Sequence, residues 1–161
     1  IKGEKWTILV GLLNDRPYEV MGGLSTFVEI PKKYTNGTLI KHPRKTMNSK
    51  YDLKFGENGD EIVIKDLVKV FDNPNNSAFT RLISLSLRHG APIQYVVEQM
   101  QKDRDSDMFS FARCVARVLK YYIKDGTQAS DKACPSCNSE SGLIYVEGCL
   151  TCKDCGYAKC G

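Results

Sequence analysis

The first apolar stretch of the chain predicts a β-hairpin. Residues 6–13 are apolar and rich in β-forming side chains, and residues 14–17 (NDRP) are typical of a turn. An extended pattern resumes at 18–21 and is predicted to end at Gly22 and Gly23.

A second hairpin is predicted further along. Residues 51–55 (YDLKF) alternate between apolar and polar with a period of two, and residues 57–60 (ENGD) carry a hairpin-turn signal. Residues 61–64 then return as the partner strand. The first third of the chain therefore predicts a small antiparallel sheet.

From residue 66 the spacing of apolar positions changes to the 3.6-residue period of a helix. A short amphipathic turn of helix is predicted at 66–71, closed by residues 72–76 (DNPNN). Ser77 is a suitable N-cap for the next helix, and Gly90 is a suitable end signal. Full helices are predicted at 78–89, 92–101 and 108–123, and we interpret their apolar stripes as core.

Together these patterns predict an α+β fold. A domain at 1–126 holds a small antiparallel sheet (about 6–65) packed with about three helices (about 66–124). A short polar stretch at 127–133 is predicted to be a linker. Residues 134–161 are predicted to form a C-terminal zinc ribbon.

The composition excludes a membrane-spanning protein. Hydrophobic residues make up 42% and charged residues 26% of the 161 residues, and no apolar run approaches the ~20 residues that cross a bilayer. The chain starts at Ile1 with no initiator Met, so we expect a processed piece or part of a longer protein. No signal-peptide pattern is present. The cysteines then predict metal-bound or catalytic thiols in a reducing, cytoplasmic compartment.

The net charge of +4 is mild and comes partly from a basic stretch. Its members are Lys32, Lys33, Lys41, Arg44, Lys45 and Lys50, with Tyr34 and Tyr51 interleaved. Such a stretch is able to contact phosphate, but it is more typical of the solvated edge of a sheet. We therefore do not expect nucleic acid to be the partner.

Six of the seven cysteines lie in the predicted ribbon. They are Cys134, Cys137, Cys149, Cys152, Cys155 and Cys160. Two C-x-x-C pairs separated by a strand-like stretch are typical of a tetrahedral zinc site. Iron would also fit four thiolates, but the spacing favours zinc. Four thiolates saturate the metal, so two cysteines are left as candidates for redox chemistry.

The first interpretation of these cysteines takes the second metal pair from residues 152–157 (CKDCGY). Gly156, directly after the second thiolate, lets the backbone turn back over the metal. Cys149 and Cys160 then lie near each other across the hairpin and form a dithiol/disulfide couple. The metal ligands are then Cys134, Cys137, Cys152 and Cys155.

The second interpretation uses residues 149–152 (CLTC) as the second metal pair. The metal ligands are then Cys134, Cys137, Cys149 and Cys152. Cys155 and Cys160 are left as a flexible terminal dithiol. The glycine after Cys155 favours the first interpretation. A purely structural ribbon with two idle cysteines is a third possibility.

The remaining candidate side chains do not make up an active site. Cys114 stands alone on the apolar helix at 108–123 and is predicted to be a small buried hydrophobic residue. His42 and His89 lack partners at ligand-type spacing, and His89 is better placed to interact with a helix dipole. We therefore expect no self-contained enzymatic site in this chain.

Several segments resemble the C-terminal region of adenosylcobalamin-dependent (class II) ribonucleotide reductases. They are residues 17–20 (PYEV), 77–90 (SAFTRLISLSLRHG), 94–99 (QYVVEQ), 106–111 (SDMFSF) and 147–160 (EGCLTCKDCGYAKC). The resemblance covers nearly the whole chain and is most specific in the cysteine-rich end.

The resemblance implies a small α+β domain followed by a zinc-ribbon tail, with the catalytic barrel and its adenosylcobalamin site absent from this chain. In such reductases the tail re-reduces the active-site disulfide and is recharged by thioredoxin or a glutaredoxin-like donor. The partners implied are therefore a catalytic barrel, in the same or a separate chain, and such a reductant. Alone, the chain is not expected to reduce nucleotides.

Two other functions are compatible with the residues. A nucleic-acid-binding zinc ribbon would bind DNA or RNA with a steep salt dependence and without thiol cycling. A structural adaptor would dock a partner through its helices and use the ribbon only to stiffen the end. The resemblance favours the redox domain over both.

Overall fold

The structure is a computed structural model that describes residues 3–43, 50–57, 59–71, 73–102, 107–130 and 133–160. Within these residues the predicted α+β class is confirmed, with small antiparallel sheets and four α-helices. None of the helices in these ranges is long and apolar enough to span a membrane.

The elements follow one another in the order of strands, helices and strands. The strands are β1 (Trp6–Leu13), β2 (Arg16–Leu24), β3 (Thr38–Lys41), β4 (Tyr51–Phe55), β5 (Ile62–Ile64), β6 (Leu143–Val146), β7 (Cys149–Cys152) and β8 (Ala158–Lys159). The helices are α1 (Leu67–Val70), α2 (Pro74–Arg88), α3 (Ile93–Met100) and α4 (Phe111–Lys120). The sheets are β1-β2, β3-β4-β5 and β6-β7-β8, so the first third of the chain forms two sheets rather than the single predicted one.

The first hairpin turns where its sequence predicts. Asn14 and Asp15 both have positive φ, 51° and 60°, which gives the turn a twist that matches the flanking strands. β2, however, continues to Leu24 instead of ending at the two glycines. A Cβ atom at Gly23 would lie 2.7 Å from the ring of Phe71, so this glycine permits close packing inside the strand.

The second sheet contains one strand that was not predicted. β3 lies within the basic stretch and pairs with β4, whose alternate residues Tyr51, Leu53 and Phe55 are buried. The predicted period of two in β4 is therefore confirmed. Arg44 and Lys45 of the basic stretch lie outside the described residues.

The predicted N-cap of α2 at Ser77 is wrong, because the helix begins at Pro74 and its N-cap is Asn73. The side-chain oxygen of Asn73 accepts hydrogen bonds from the backbone N–H groups of Asn75 and Asn76, each at 3.1 Å. Proline at the first helical position needs no such partner. Most of the predicted 72–76 loop is thus the first turn of the helix, while Asp72 lies outside the described residues.

The last helix is shorter than predicted. α4 starts at Phe111 rather than 108, because the hydroxyl of Ser110 caps it by accepting from the N–H of Arg113. It ends at Lys120 rather than 123. The bounds of α1 and α3 agree with the prediction within one residue.

Two hydrophobic clusters form the core. One lies under β4 and α1, and its buried members are Met21, Val28, Tyr51, Leu53, Phe55, Leu67 and Phe71. The other joins α2, α3 and α4 to the ribbon, and its buried members are Val20, Ile83, Val97, Phe111, Val115, Leu119, Ile123, Ala129, Cys134, Leu143, Tyr145 and Cys152. The ribbon therefore shares a core with the helices.

Residues 127–130, the described start of the predicted linker, are hydrogen-bonded to the ribbon. The N–H of Ala129 donates to the carbonyl of Leu143 at 3.0 Å, and the N–H of Tyr145 donates to the carbonyl of Thr127 at 2.8 Å. Gln128 forms an isolated bridge with Ile144. The division of the chain into two domains at this point stays a prediction.

Candidate metal centre and disulfide

The structure gathers four of the six ribbon cysteines at one point. The Sγ atoms of Cys134, Cys137, Cys152 and Cys155 all lie within 4.8 Å of one another. Two of these separations, Cys134 to Cys155 and Cys137 to Cys152, are 3.7 Å. Cys134 and Cys152 are buried, whereas Cys137 and Cys155 are exposed. This is the set of ligands in the first interpretation of the sequence.

The first pair of thiols is held by a tight turn. The N–H of Asn138 donates to the carbonyl of Cys134 at 2.8 Å, and Asn138 has a positive φ of 59°. The N–H of Ser136 points at the Sγ atom of Cys134 at 3.4 Å. The turn therefore directs the Cys134 and Cys137 side chains to the same side and offers a donor to one sulfur.

The second pair lies where β7 ends. The N–H of Gly156 donates to the carbonyl of Cys152 at 3.0 Å, and Gly156 has a φ of 75°. Among the described residues other than its chain neighbours, no atom lies within 4 Å of a Cβ built there, so the conformation, not crowding, favours glycine. This is the backbone reversal that was predicted from the glycine after Cys155.

The two turns are tied together by residues that were not predicted. The hydroxyl of Ser139, beside the first turn, donates to the carboxylate of Asp154 in the second. A Cβ at Gly142 would lie 2.7 Å from that carboxylate and 2.9 Å from the sulfur of Cys152. Gly142 therefore lets the chain pass close to the sulfur cluster, and no local sequence signal indicates this contact.

The environment favours ionisation of Cys134. Burial opposes the thiolate, but backbone donors from Cys137 and Ser136 and the thiols of Cys152 and Cys155 outweigh it. The pKa of Cys134 is lowered to about 7. A thiolate is the form that binds a metal, so the turn prepares this sulfur for coordination.

Cys137 behaves in the opposite way. A backbone hydrogen bond from Ser139 favours its thiolate, but partial desolvation within the sulfur cluster and the three neighbouring thiols raise its pKa to about 12. Four close sulfurs cannot all ionise next to one another without a compensating cation. A divalent metal would provide that charge.

The dimensions of the cluster fit zinc. Four sulfurs at about 2.3 Å from a tetrahedral zinc ion are about 3.8 Å apart. The observed separations of 3.7 Å agree with this spacing. Cys134, Cys137, Cys152 and Cys155 would hold the ion, and its role would be structural because four ligands leave no open position.

The two other ribbon cysteines are bonded to each other. The register that pairs Leu150 with Lys159 places Cys149 opposite Cys160, and a disulfide joins them over a sequence separation of 11. Cys149 is partly buried and Cys160 is exposed. Cys155 belongs to the group of four, so the structure does not bring Cys155 and Cys160 together as a pair.

A buried carboxylate connects the ribbon to α3. Glu98 is only 6% exposed and accepts hydrogen bonds from the backbone and the hydroxyl of Ser130 and from the hydroxyl of Tyr145, the last at 3.2 Å. Burial and the Glu98 charge raise the pKa of Tyr145, so its hydroxyl keeps the proton that it donates. These partners are 32 and 47 residues from Glu98, which is why sequence periodicity did not reveal them.

We expect Tyr145→Phe to lower the stability of the folded chain by about 1 kcal/mol, because a buried acceptor loses one donor. For a chain of this length the change corresponds to a Tm shift of about 2–4 °C. Thermal unfolding followed by circular dichroism measures it. Tyr121→Phe is the matched control, since Tyr121 is 75% exposed. Equal shifts in both variants would contradict the role of the Glu98 contact.

The remaining predicted candidates lie away from this site. Cys114 is partly exposed rather than buried, with its sulfur 3.8 Å from the carbonyl of Phe109. The Nε2 atom of His42 lies 2.7 Å from the carboxylate of Asp52. His89 is the C-cap residue of α2, as predicted. Two lysines of the basic stretch lie over tyrosine rings, Lys33 over Tyr34 and Lys41 over Tyr51.

Comparison with known proteins agrees with the resemblance seen in the sequence. The family model described as "NrdJ homologue C-terminal domain" matches residues 1–124, so the cysteine cluster lies beyond the match. No curated protein and no solved structure matches the chain. Membership links the chain to ribonucleotide reductase, because NrdJ is the adenosylcobalamin-dependent form of that enzyme. The chain belongs to the family of NrdJ homologue C-terminal domains.

Proposed function

We propose that this chain is the accessory redox domain of an adenosylcobalamin-dependent ribonucleotide reductase in the cytoplasm. It relays electrons from a thioredoxin-type or glutaredoxin-like donor to the active-site disulfide of the catalytic barrel, and so sustains deoxyribonucleotide synthesis. The observation that carries this proposal is the surface disulfide between Cys149 and Cys160, beside a cluster of four other thiols. Family membership supplies the enzyme to which the relay belongs.

The difference in exposure between Cys149 and Cys160 suggests which sulfur an electron donor attacks. Attack of a donor thiolate on the exposed Cys160 sulfur forms a mixed disulfide and releases Cys149 as the leaving thiolate. The second thiol of the donor then attacks the mixed disulfide, which leaves the donor oxidised and both cysteines reduced. Two electrons and two protons have moved to the pair.

The reduced pair passes its electrons to the catalytic barrel by the same kind of thiol–disulfide exchange. The Cys160 thiolate attacks the active-site disulfide of the catalytic barrel, and Cys149 resolves the mixed disulfide that results. The barrel regains its dithiol and the Cys149–Cys160 disulfide forms again. Lys159 lies next to Cys160, and its positive charge favours the attacking thiolate.

The four-thiol cluster has a supporting role in this proposal. Zinc bound to Cys134, Cys137, Cys152 and Cys155 keeps these thiols out of exchange and holds the turn from which β7 and β8 leave. The Glu98 contact holds the ribbon against α3 between exchanges. Movement of the ribbon towards a partner would have to break that contact and the packing of the ribbon against the helices.

Counting thiols tests the proposal directly. Zinc-loaded chain is treated with thioredoxin, thioredoxin reductase and NADPH, and free thiols are then counted by alkylation and mass spectrometry. We expect alkylation of Cys149 and Cys160 only after treatment, while the four cluster cysteines stay protected throughout. A disulfide that resists thioredoxin, or cluster thiols that react as fast as Cys160, would refute the relay.

A further inference from the structure

A cavity with no cysteine among its described lining residues is lined by members of both hydrophobic clusters. Its volume is about 630 Å³, within the range of small-molecule sites. The strands β2, β3 and β4 and the helices α1 and α2 supply most of its lining residues. Its apolar walls include the fully buried Leu67 and the nearly buried Phe71 and Val20.

The charged residues of the cavity are mostly positive. Lys41, Arg81 and Arg88 line it, and among the described lining residues Glu19 is the one carboxylate. Glu19 is 7% exposed and is already engaged, since it accepts hydrogen bonds from Arg88 and from the hydroxyl of Tyr51. Lys41 and Arg81 therefore leave the cavity with positive charge that no lining carboxylate neutralises.

The polar groups on the wall are held in place. The guanidinium of Arg88 lies 5.2 Å from the ring centre of Tyr18 and pairs with Glu19, so it is fixed on two sides. Burial and the charge of Glu19 raise the pKa of Tyr51, so its hydroxyl remains a donor to that carboxylate. Such fixed polar groups on an apolar wall are typical of ligand sites.

We propose that this cavity binds a small amphipathic anion, with an apolar body against Leu67 and Phe71 and a carboxylate or phosphate group at Lys41 and Arg81. The exposed side chains of Leu82 and Leu85, 64% and 49% accessible, lie at the cavity and provide further apolar surface for the ligand. The proposal is independent of the redox function, because the lining residues belong to neither the ribbon nor its contacts with α3.

Three eight-carbon probes separate charge from apolar contact: octanoate, monooctyl phosphate and the neutral 1-octanol. Each is titrated into the full chain below its aggregation concentration, and amide chemical shifts are followed by NMR. We expect both anions to shift the resonances of Lys41, Tyr51 and residues within 19–22, 67–71 and 77–88, and we expect 1-octanol to bind at least about fivefold more weakly. A preference for octanoate or for the phosphate identifies the head group of the ligand.

Two variants and a control complete the test. Arg81→Gln is expected to weaken anion binding about fivefold, while Lys124→Gln, which removes an exposed charge elsewhere, leaves it unchanged. Ala78→Phe places a ring in the cavity and is expected to abolish binding of all three probes. Equal affinity for 1-octanol and the anions, shifts confined to residues away from the cavity lining, or unchanged affinity in Arg81→Gln would overturn the proposal.

Discussion

Removal of zinc, or replacement of Cys152 by serine, is expected to unfold the ribbon. Binding of zinc to structural sites in small peptides contributes about 10–16 kcal/mol at pH 7, and that free energy is folding free energy. Cys152 is 1% exposed and belongs both to the sulfur cluster and to the core shared with the helices. Hydrogen exchange should show loss of protection at 134–160, whereas β1 to β5 stay protected.

The matched control for this prediction is Cys114→Ser. Cys114 is partly exposed and lies outside the cluster, so its loss should leave the ribbon protected. Breaking the Cys149–Cys160 disulfide should have an intermediate effect, about 3 kcal/mol for a closed loop of this length. The prediction is an order of destabilisation: loss of the metal has the largest effect, loss of the disulfide a smaller one, and Cys114→Ser the smallest. A ribbon that keeps its protection in excess chelator would show that no metal supports it.

The parts of this fold that could be predicted are those set by local chemistry. The period of two in β4, the turn residues Asn14 and Asp15, and the helical period of α3 each depend on neighbours in sequence. The glycine after Cys155 also belongs here, because the turn that follows the second pair of thiols has a positive φ at that position.

The errors have physical reasons as well. Ser77 and Asn73 are both good N-cap residues. Only the proline after Asn73 distinguishes them, because proline is favoured at the first position of a helix. Glycine is typical of turns, but Gly23 lies in a strand. A glycine is required there because the ring of Phe71 leaves no room for a side chain. These contacts depend on tertiary packing, which periodicity does not contain.

The junction of ribbon and helices was not predictable for the same reason. Glu98 occurs in an apolar helix, where a lone carboxylate normally indicates the solvent face. Its partners, Ser130 and Tyr145, come from the polar stretch and from β6. Only the folded chain brings the three together, and the result is a ribbon held against α3.

Cys160→Ser is expected to abolish thioredoxin-driven turnover of the reductase that contains this chain. A thiol in the same chain or complex reacts at an effective concentration that an external thiol does not reach. Loss of the Cys160 thiol should therefore lower the turnover rate about a hundredfold or more. Ribonucleotide reduction is measured with thioredoxin as donor and again with dithiothreitol. The small dithiol reaches the active-site disulfide without a relay, so activity with dithiothreitol should be retained.

The comparison of donors separates a lost relay from a damaged fold. Cys160 is exposed and outside the shared core, so its replacement should not unfold the ribbon, and Cys149→Ser should have the same kinetic effect. Cys155→Ser should instead lower both zinc content and thioredoxin-driven turnover, since Cys155 belongs to the cluster. If Cys160→Ser turned over normally with thioredoxin, the Cys149–Cys160 pair would carry no electrons. The disulfide would then serve only to close β8 onto β7.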